Sequence, residues 1–226
     1  MTDARTASDL SLASRVQQEV ERLIATGALQ AGERISEQSI AQRLGFSRGP
    51  VREAFRALTE AGLLVSERNR GVQVRTIGTA ELLDLYEVRA ALEGQIAAAA
   101  LPHLTPETFA AFELVLRDMQ AAIKDGAPQD YFAANVQFDA ILIAACPNRP
   151  LREVYRSITR KMQLVRRRRL QGIEEMAQSC ANHAALLDVL RWGDAAEVRR
   201  AFHDAIMRSR AAIAAEAQSP SSASSA

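Results

Sequence analysis

The stretch SEQSIAQRLGFSRGPVREAFRAL, from Ser36 to Leu58, holds three guanidinium groups at a spacing that can read a nucleic acid. Arg48, Arg52 and Arg56 recur at steps of four, so on a helix they form one ridge. Val51, Phe55 and Leu58 fall on the other side, where they can anchor the helix in a small core. Arginine is the residue best suited to bidentate pairing with guanine, and the major groove admits a helix held in this way. Gly49 reads as a turn feature and Pro50 as the first residue of the helix, which lets the helix start close to DNA. For Arg43 and Arg56, solvation or an ion pair with Glu53 or Glu60 stands as an open alternative to base contact.

A second group of residues lies further along, where polar side chains interrupt apolar helix stripes. Arg89 falls in the middle of Leu82, Leu85, Leu92 and Ile96. A buried arginine is costly unless it faces an anion, a carboxylate partner or water, and Glu93 at i+4 is the local candidate. Asn135 and Asp139 are four apart and share a face with Phe132, Leu142 and Ile143. His183 lies on the stripe of Met176, Cys180, Leu187 and Leu190; alone it reads more readily as a satisfied core histidine than as a ligand. Three such intrusions in one bundle point to an internal polar cavity. Its chemistry suits a small organic acid bearing hydroxyl or amino groups, with the carboxylate on Arg89 and Asp139 accepting from a hydroxyl or ammonium. Arg156, Arg160, Gln163 and Arg167 form a polar row on the next helix, from which Gln163 and Arg167 are the candidates to join the site. The run Arg166–Arg169 covers all sides of a helix turn, so most of it is expected in solvent.

The elements that carry these groups can be traced by period and punctuation. Residues 1–8 are polar and expected to be loose. A helix follows from about Asp9 to Ala25, ended by Gly27, and AGERI reads as a turn. Ser36 is an expected N-cap for a short helix to Leu44, and Leu44-Gly45-Phe46 is a tight turn. The next helix runs from Ser47 to about Ala61, closed by Gly62. The runs LLVSE and VQVRT around Arg68-Asn69-Arg70-Gly71 read as a two-stranded wing with a basic tip. Beyond Gly78 no strand is expected, only six or seven amphipathic helices, with breaks near Pro102 to Pro106, Asp125 to Pro128, Cys146 to Pro150, Gln171-Gly172 and Trp192 to Asp194. The fold class is therefore mainly α: a winged helix-turn-helix over 9–77 and an all-α bundle over 78–216, with a low-complexity tail at 217–226.

Bulk properties exclude several classes. With 226 residues, 48% hydrophobic and 24% charged, the composition is that of a soluble globular chain. No run approaches the roughly 20 apolar residues of a membrane span, and MTDARTASDL lacks the apolar core of a secretory leader. Cys146 and Cys180 make no C-x-x-C pattern, and the expected location is the cytoplasm. Net charge is only +1, so the sign of nucleic-acid binding is local: Arg43, Arg48, Arg52 and Arg56 against Glu53 alone within 43–56.

The run LQAGERISEQSIAQRLGFSRGPVREAFRALTEAGLL, followed by RNRGVQV, resembles the GntR family of bacterial transcription regulators, in its FadR-like branch. EVRAALE, from Glu87 to Glu93, resembles the opening helix of that branch's effector-binding FCD domain. The resemblance implies DNA contacts from Ser47, Arg48, Gly49 and Arg52, and a wing tip, Arg70 and Gly71, that approaches the minor groove or phosphates. Gln38 stands where relatives usually place a DNA-holding arginine, which affects affinity and operator sequence. Many FCD domains hold a divalent metal through Asp-x-x-x-His and two later histidines. Here those positions read Asn135, Asp139, His183 and Ala205, which leaves Asp139 and His183 as weak candidates and no metal or other cofactor expected.

The function expected from these observations is that of a homodimeric, sequence-specific regulator, a repressor of a pseudo-palindromic operator released by a small organic acid. An enzyme using Asp139 and His183 as an acid–base pair lacks a nucleophile motif, a phosphate loop and a complete metal set. An architectural DNA binder whose second domain only dimerises is the remaining alternative.

Overall fold

The computed structural model describes residues 11–67 and 71–218. The loose ends expected at 1–8 and 219–226, and the wing-tip arginine Arg70, lie outside these residues. The chain divides into two compact units, one up to Thr76 and one from Ile77 onwards.

In the first unit, α1 spans Leu12–Ala25 and is capped by Ser11, whose hydroxyl accepts from the Ser14 amide. Helix α2, Glu37–Leu44, opens with a reciprocal capping box between Ser36 and Ser39 and ends at Gly45, whose φ of 72° is left-handed. Helix α3, Arg48–Glu60, follows after three residues. Its inner face, Val51, Ala54, Phe55 and Leu58, packs with Val16, Val20 and Ile40 in a dry core. Pro50 is the third helical residue rather than the first, and still costs no hydrogen bond, because the amides of the first turn have no helical partner.

The wing carries one more strand than the sequence pattern foretold. Within AGERI, read above as a turn, Arg34–Ile35 form a short strand, β1. It pairs antiparallel with β3, Gly71–Val74, which also pairs with β2, Leu64–Glu67, giving the order β1-β3-β2. Two residues are too few for a recognisable alternation, and β1 is held by what it pairs with rather than by propensity.

The second unit contains, among the described residues, six α-helices and one 3₁₀ turn. They are α4 Thr79–Ala100, the turn Leu101–His103, α5 Pro106–Lys124, α6 Pro128–Ala145, α7 Arg149–Arg169, α8 Ile173–Trp192 and α9 Ala195–Gln218. Helix α9 continues through Gln218, two residues into the stretch expected as tail. Phe112, Met119, Tyr131, Phe138, Tyr155 and Phe202 form the centre of the bundle core. Helices α4 and α9 approach so closely that a Cβ on Gly94 would lie 2.6 Å from the backbone oxygen of Arg199. Backbone cannot give way as a side chain tip can. Gly94→Ala is therefore expected to destabilise the protein by about 1–3 kcal/mol, read as a lower urea midpoint; an unchanged midpoint would mean the two helices separate freely.

Candidate effector cavity and DNA-binding face

In the first unit, α3 turns Arg48, Arg52 and Arg56 to solvent, as ridge residues must be if they are to reach a partner. Arg52 lies across from α2, its Nε 3.3 Å from both carboxylate oxygens of Glu37. Arg56 faces Glu60 within its own helix, the alternative left open above. Both pairs are exposed, so water and salt weaken them and leave the guanidinium groups exchangeable. Ser47 caps α3 by backbone conformation alone, its hydroxyl making no capping bond. A Cβ at Gly49 would meet nothing within 4 Å, so this glycine clears the outer surface of the helix rather than relieving a clash inside the protein. Gln38 is exposed on α2, and Gly71 opens β3 with a φ of 83°. Arg15 of α1 stacks on Phe46, its guanidinium carbon 5.6 Å from the ring centroid, and braces the turn before α3.

In the second unit, α4, α6, α7, α8 and α9 line a cavity of about 590 Å³ that opens to solvent. Arg89, Glu93, Asn135, Arg166 and His183 line it, with Tyr86 as an aromatic wall; Glu174, Glu175 and Arg208 also contribute. Three of the intruding residues singled out in the sequence, Arg89, Asn135 and His183, thus meet in one place. The fourth, Asp139, is not part of the wall but reaches it through both arginines. Gln163 is not among the lining residues, and the side chain of Arg167 lies outside the described set.

The floor is a charge cluster taken almost wholly out of water. Arg89, Glu93 and Arg166 are 5%, 4% and 7% exposed. Arg89 Nε donates to Glu93 Oε2 at 2.7 Å, and Arg89 Nη2 lies 3.5 Å from Asp139 Oδ2. Arg166 Nη1 donates to that same Asp139 oxygen at 3.1 Å. The Tyr155 hydroxyl donates to Glu93 Oε2 at 2.5 Å. Two cations therefore face two carboxylates, and the cluster ties α4 to α6 and α7. Burial opposes ionisation of Asp139, but Arg166 and Arg89 outweigh it and hold its carboxyl below the usual range. Glu93 is pushed up, chiefly by burial and further by Asp139, against the pull of Arg89.

Arg89 faces Glu93, the local partner weighed above, and also Asp139. Arg166 is the second buried cation, and Tyr155 and Glu93 complete the cluster; the sequence pattern singled out neither Arg166 nor Tyr155.

His183 donates from Nδ1 to the Ser179 carbonyl at 2.7 Å in its neutral form and packs edge-on against Phe138. Burial pushes its pKa below the ordinary value of 6.5, with Asp139 and the Ser179 bond opposing the shift only in part. The folded state thus prefers neutral histidine. The stability this contributes is complete above the unfolded pKa and is lost as pH falls through that value towards the depressed one. The urea midpoint is expected to fall between about pH 7 and about pH 5, and His183→Gln to flatten that limb relative to the parent; identical slopes in the two proteins would sink the assignment.

The side-chain amide nitrogen of Asn135, which is 1% exposed, has no hydrogen-bond partner in the protein. It is a buried donor on the wall of the cavity, and such a group is costly unless something accepts from it.

These residues do not fit a divalent metal. Among the described residues no three His, Cys, Asp or Glu side chains come together as a metal-binding group. Asp139, the one carboxylate at the relevant positions, is already shared by two guanidinium groups, and a cation placed on it would meet both at contact range.

The FCD domain model matches residues 84–208, and the model for bacterial regulatory proteins of the gntR family matches residues 12–74. The chain belongs to the gntR family. It is a transcription regulator with a helix-turn-helix domain followed by an FCD domain, the C-terminal effector-binding domain of such proteins. Among its relatives, the "Probable D-xylose utilization operon transcriptional repressor" of Paenarthrobacter nicotinovorans is 29% identical over 187 residues, covering 81% of this chain and 80% of that one. The Nta operon transcriptional regulator of Aminobacter aminovorans is 32% identical over 137 residues, covering 60% and 64%. The solved structure of Escherichia coli McbR/YncC shares the fold of this regulator with a TM-score of 0.81 at 23% identity, covering 93% of this chain and all of that one. Among the described residues no helix of the regulator is long and apolar enough to cross a membrane.

Proposed function

We propose that this regulator is a cytoplasmic repressor that binds a pseudo-palindromic operator as a homodimer and lets it go when a small organic acid occupies the cavity of its second domain. The observation that carries the reading is the pairing of two features in one chain. One unit exposes an arginine ridge on a helix anchored from behind; the other holds a polar-floored cavity with an unpartnered Asn135 donor. Ser47, Arg48, Gly49 and Arg52 meet the major groove, with Gln38 on the preceding helix close by and the wing residues Arg70 and Gly71 on the backbone or minor groove. Two-fold symmetry brings two such helices to successive half-sites. In the cavity the acid hydrogen-bonds to Asn135, and its carboxylate engages the outer edges of the Arg89 and Arg166 guanidinium groups; Asp139 and His183 support them. The names of relatives that are called repressors favour repression over activation.

A neutral polyhydroxylated effector is a second reading, favoured by one observation: both guanidinium groups already face carboxylates, so the floor carries no net charge that calls for an anion. A thermal-shift screen of hydroxy acids, amino acids and pentoses separates the two. The effector is expected to raise the melting temperature saturably and to weaken operator binding, measured by fluorescence anisotropy, by about 5–150-fold. A regulator that binds its operator and responds to no small molecule in either assay would leave the second domain as a dimerisation module only.

A further inference from the structure

We propose that Arg166 is the permanent cation of this cavity, a guanidinium fixed on Asp139 that does the electrostatic work a bound divalent ion would otherwise do, so that the regulator operates without metal. The place of the effector rests on the reading above; the identity of the cation does not.

Three observations converge on this residue. The first is where it sits. Arg166 is 7% exposed and lines the same cavity as Asn135, His183 and Ala205. The second is what it holds. Its Nη1 lies 3.1 Å from Asp139 Oδ2, an oxygen that Arg89 Nη2 also approaches at 3.5 Å, so this carboxylate oxygen has two cationic partners. The third is the chemistry of the donor set. An amide nitrogen without a partner, one part-buried histidine and a methyl group at position 205 do not assemble a cation site around Asp139. They line the same cavity as a guanidinium held on Asp139.

A guanidinium differs from a metal ion in ways that matter for the effector. It never dissociates, so the site cannot be emptied by chelators or altered by metal supply. Its donors are planar and directional, which favours a flat carboxylate or a pair of neighbouring hydroxyls over a ligand that wraps a spherical ion. It also remains charged across the whole accessible pH range.

The test has two arms that need neither operator nor effector, so its failure is distinct from failure of the regulatory reading. In the first, protein treated with chelator and dialysed is titrated calorimetrically with zinc, nickel or manganese chloride and followed by thermal melting. No stoichiometric binding and no saturable shift are expected; one equivalent bound tightly, and lost in Asp139→Asn, would overturn the proposal. In the second, Arg166→Ala is expected to melt on the order of 10 °C lower than the parent. Low millimolar methylguanidinium chloride should recover part of that loss, while sodium chloride of equal ionic strength should not. A variant as stable as the parent, or rescued equally by both salts, would overturn it. Should Arg166→Ala fail to fold, Arg166→Lys keeps the charge without the fork and is expected to fold and to remain insensitive to added metal; a lysine variant that acquires metal dependence would equally overturn the assignment.

Discussion

Replacing Arg89 by methionine is expected to cost about 3–5 kcal/mol of folding stability, the largest loss from a single substitution in the effector domain. The reason is what remains. Glu93 would keep the Tyr155 hydroxyl, but its partner at 2.7 Å would be gone, and Asp139 would depend on Arg166 alone. A carboxylate in so dry a place either stays charged at high cost or takes up a proton. Urea denaturation of the single and double variants separates these terms. Arg89→Met paired with Glu93→Gln should regain a large part of the loss, since the double variant buries no orphaned charge. A single variant within about 1 kcal/mol of the parent, or a double variant worse than the sum of its parts, would show that the cluster is not coupled as the distances indicate.

The second large effect belongs to the other unit. Arg48→Ala and Arg52→Ala should each weaken binding to the selected operator by about 10–100-fold per half-site, as loss of a bidentate base contact does. Affinity for random duplex should change far less, because non-specific binding draws on charge alone. Neither substitution touches the inner face of α3, so the melting temperature should be unchanged. Arg52 carries one further expectation. Its exposed pair with Glu37 must open for the side chain to reach a base, so Glu37→Gln should alter operator affinity without affecting the fold. Operator binding that survives both arginine substitutions would remove the recognition role from α3.

Much of this architecture could be read from the chain because the signals were local. The arginine ridge, the Ser36 cap and the tight turn at Gly45 depend on neighbours within one helical turn. Periodicity also exposed Arg89, Asn135 and His183, since a polar residue in an apolar stripe is visible without knowing what lies opposite. What lay opposite was not visible. In the run Arg166–Arg169 the sequence offers a guanidinium every 100° around the helix. The partner that holds Arg166 inside, Asp139, lies 27 positions away on another helix, beyond the reach of any local pattern. Tyr155 is hidden for the same reason, reaching Glu93 over a separation of 62 residues. Strand β1 was missed differently: its two residues owe their conformation to β3, which lies nearly forty positions later.

The sharing of one Asp139 oxygen between Arg89 and Arg166 has an evolutionary corollary. Because the two guanidinium groups and the two acids compensate one another, any lone loss of charge among positions 89, 93, 139 and 166 leaves a stranded partner, while certain joint changes do not. Drift at these four sites should therefore be concerted, with sign epistasis separating the viable combinations. A lineage passing between a guanidinium-based receptor and an ion-based one would have to cross that valley through paired substitutions or by way of an all-neutral intermediate.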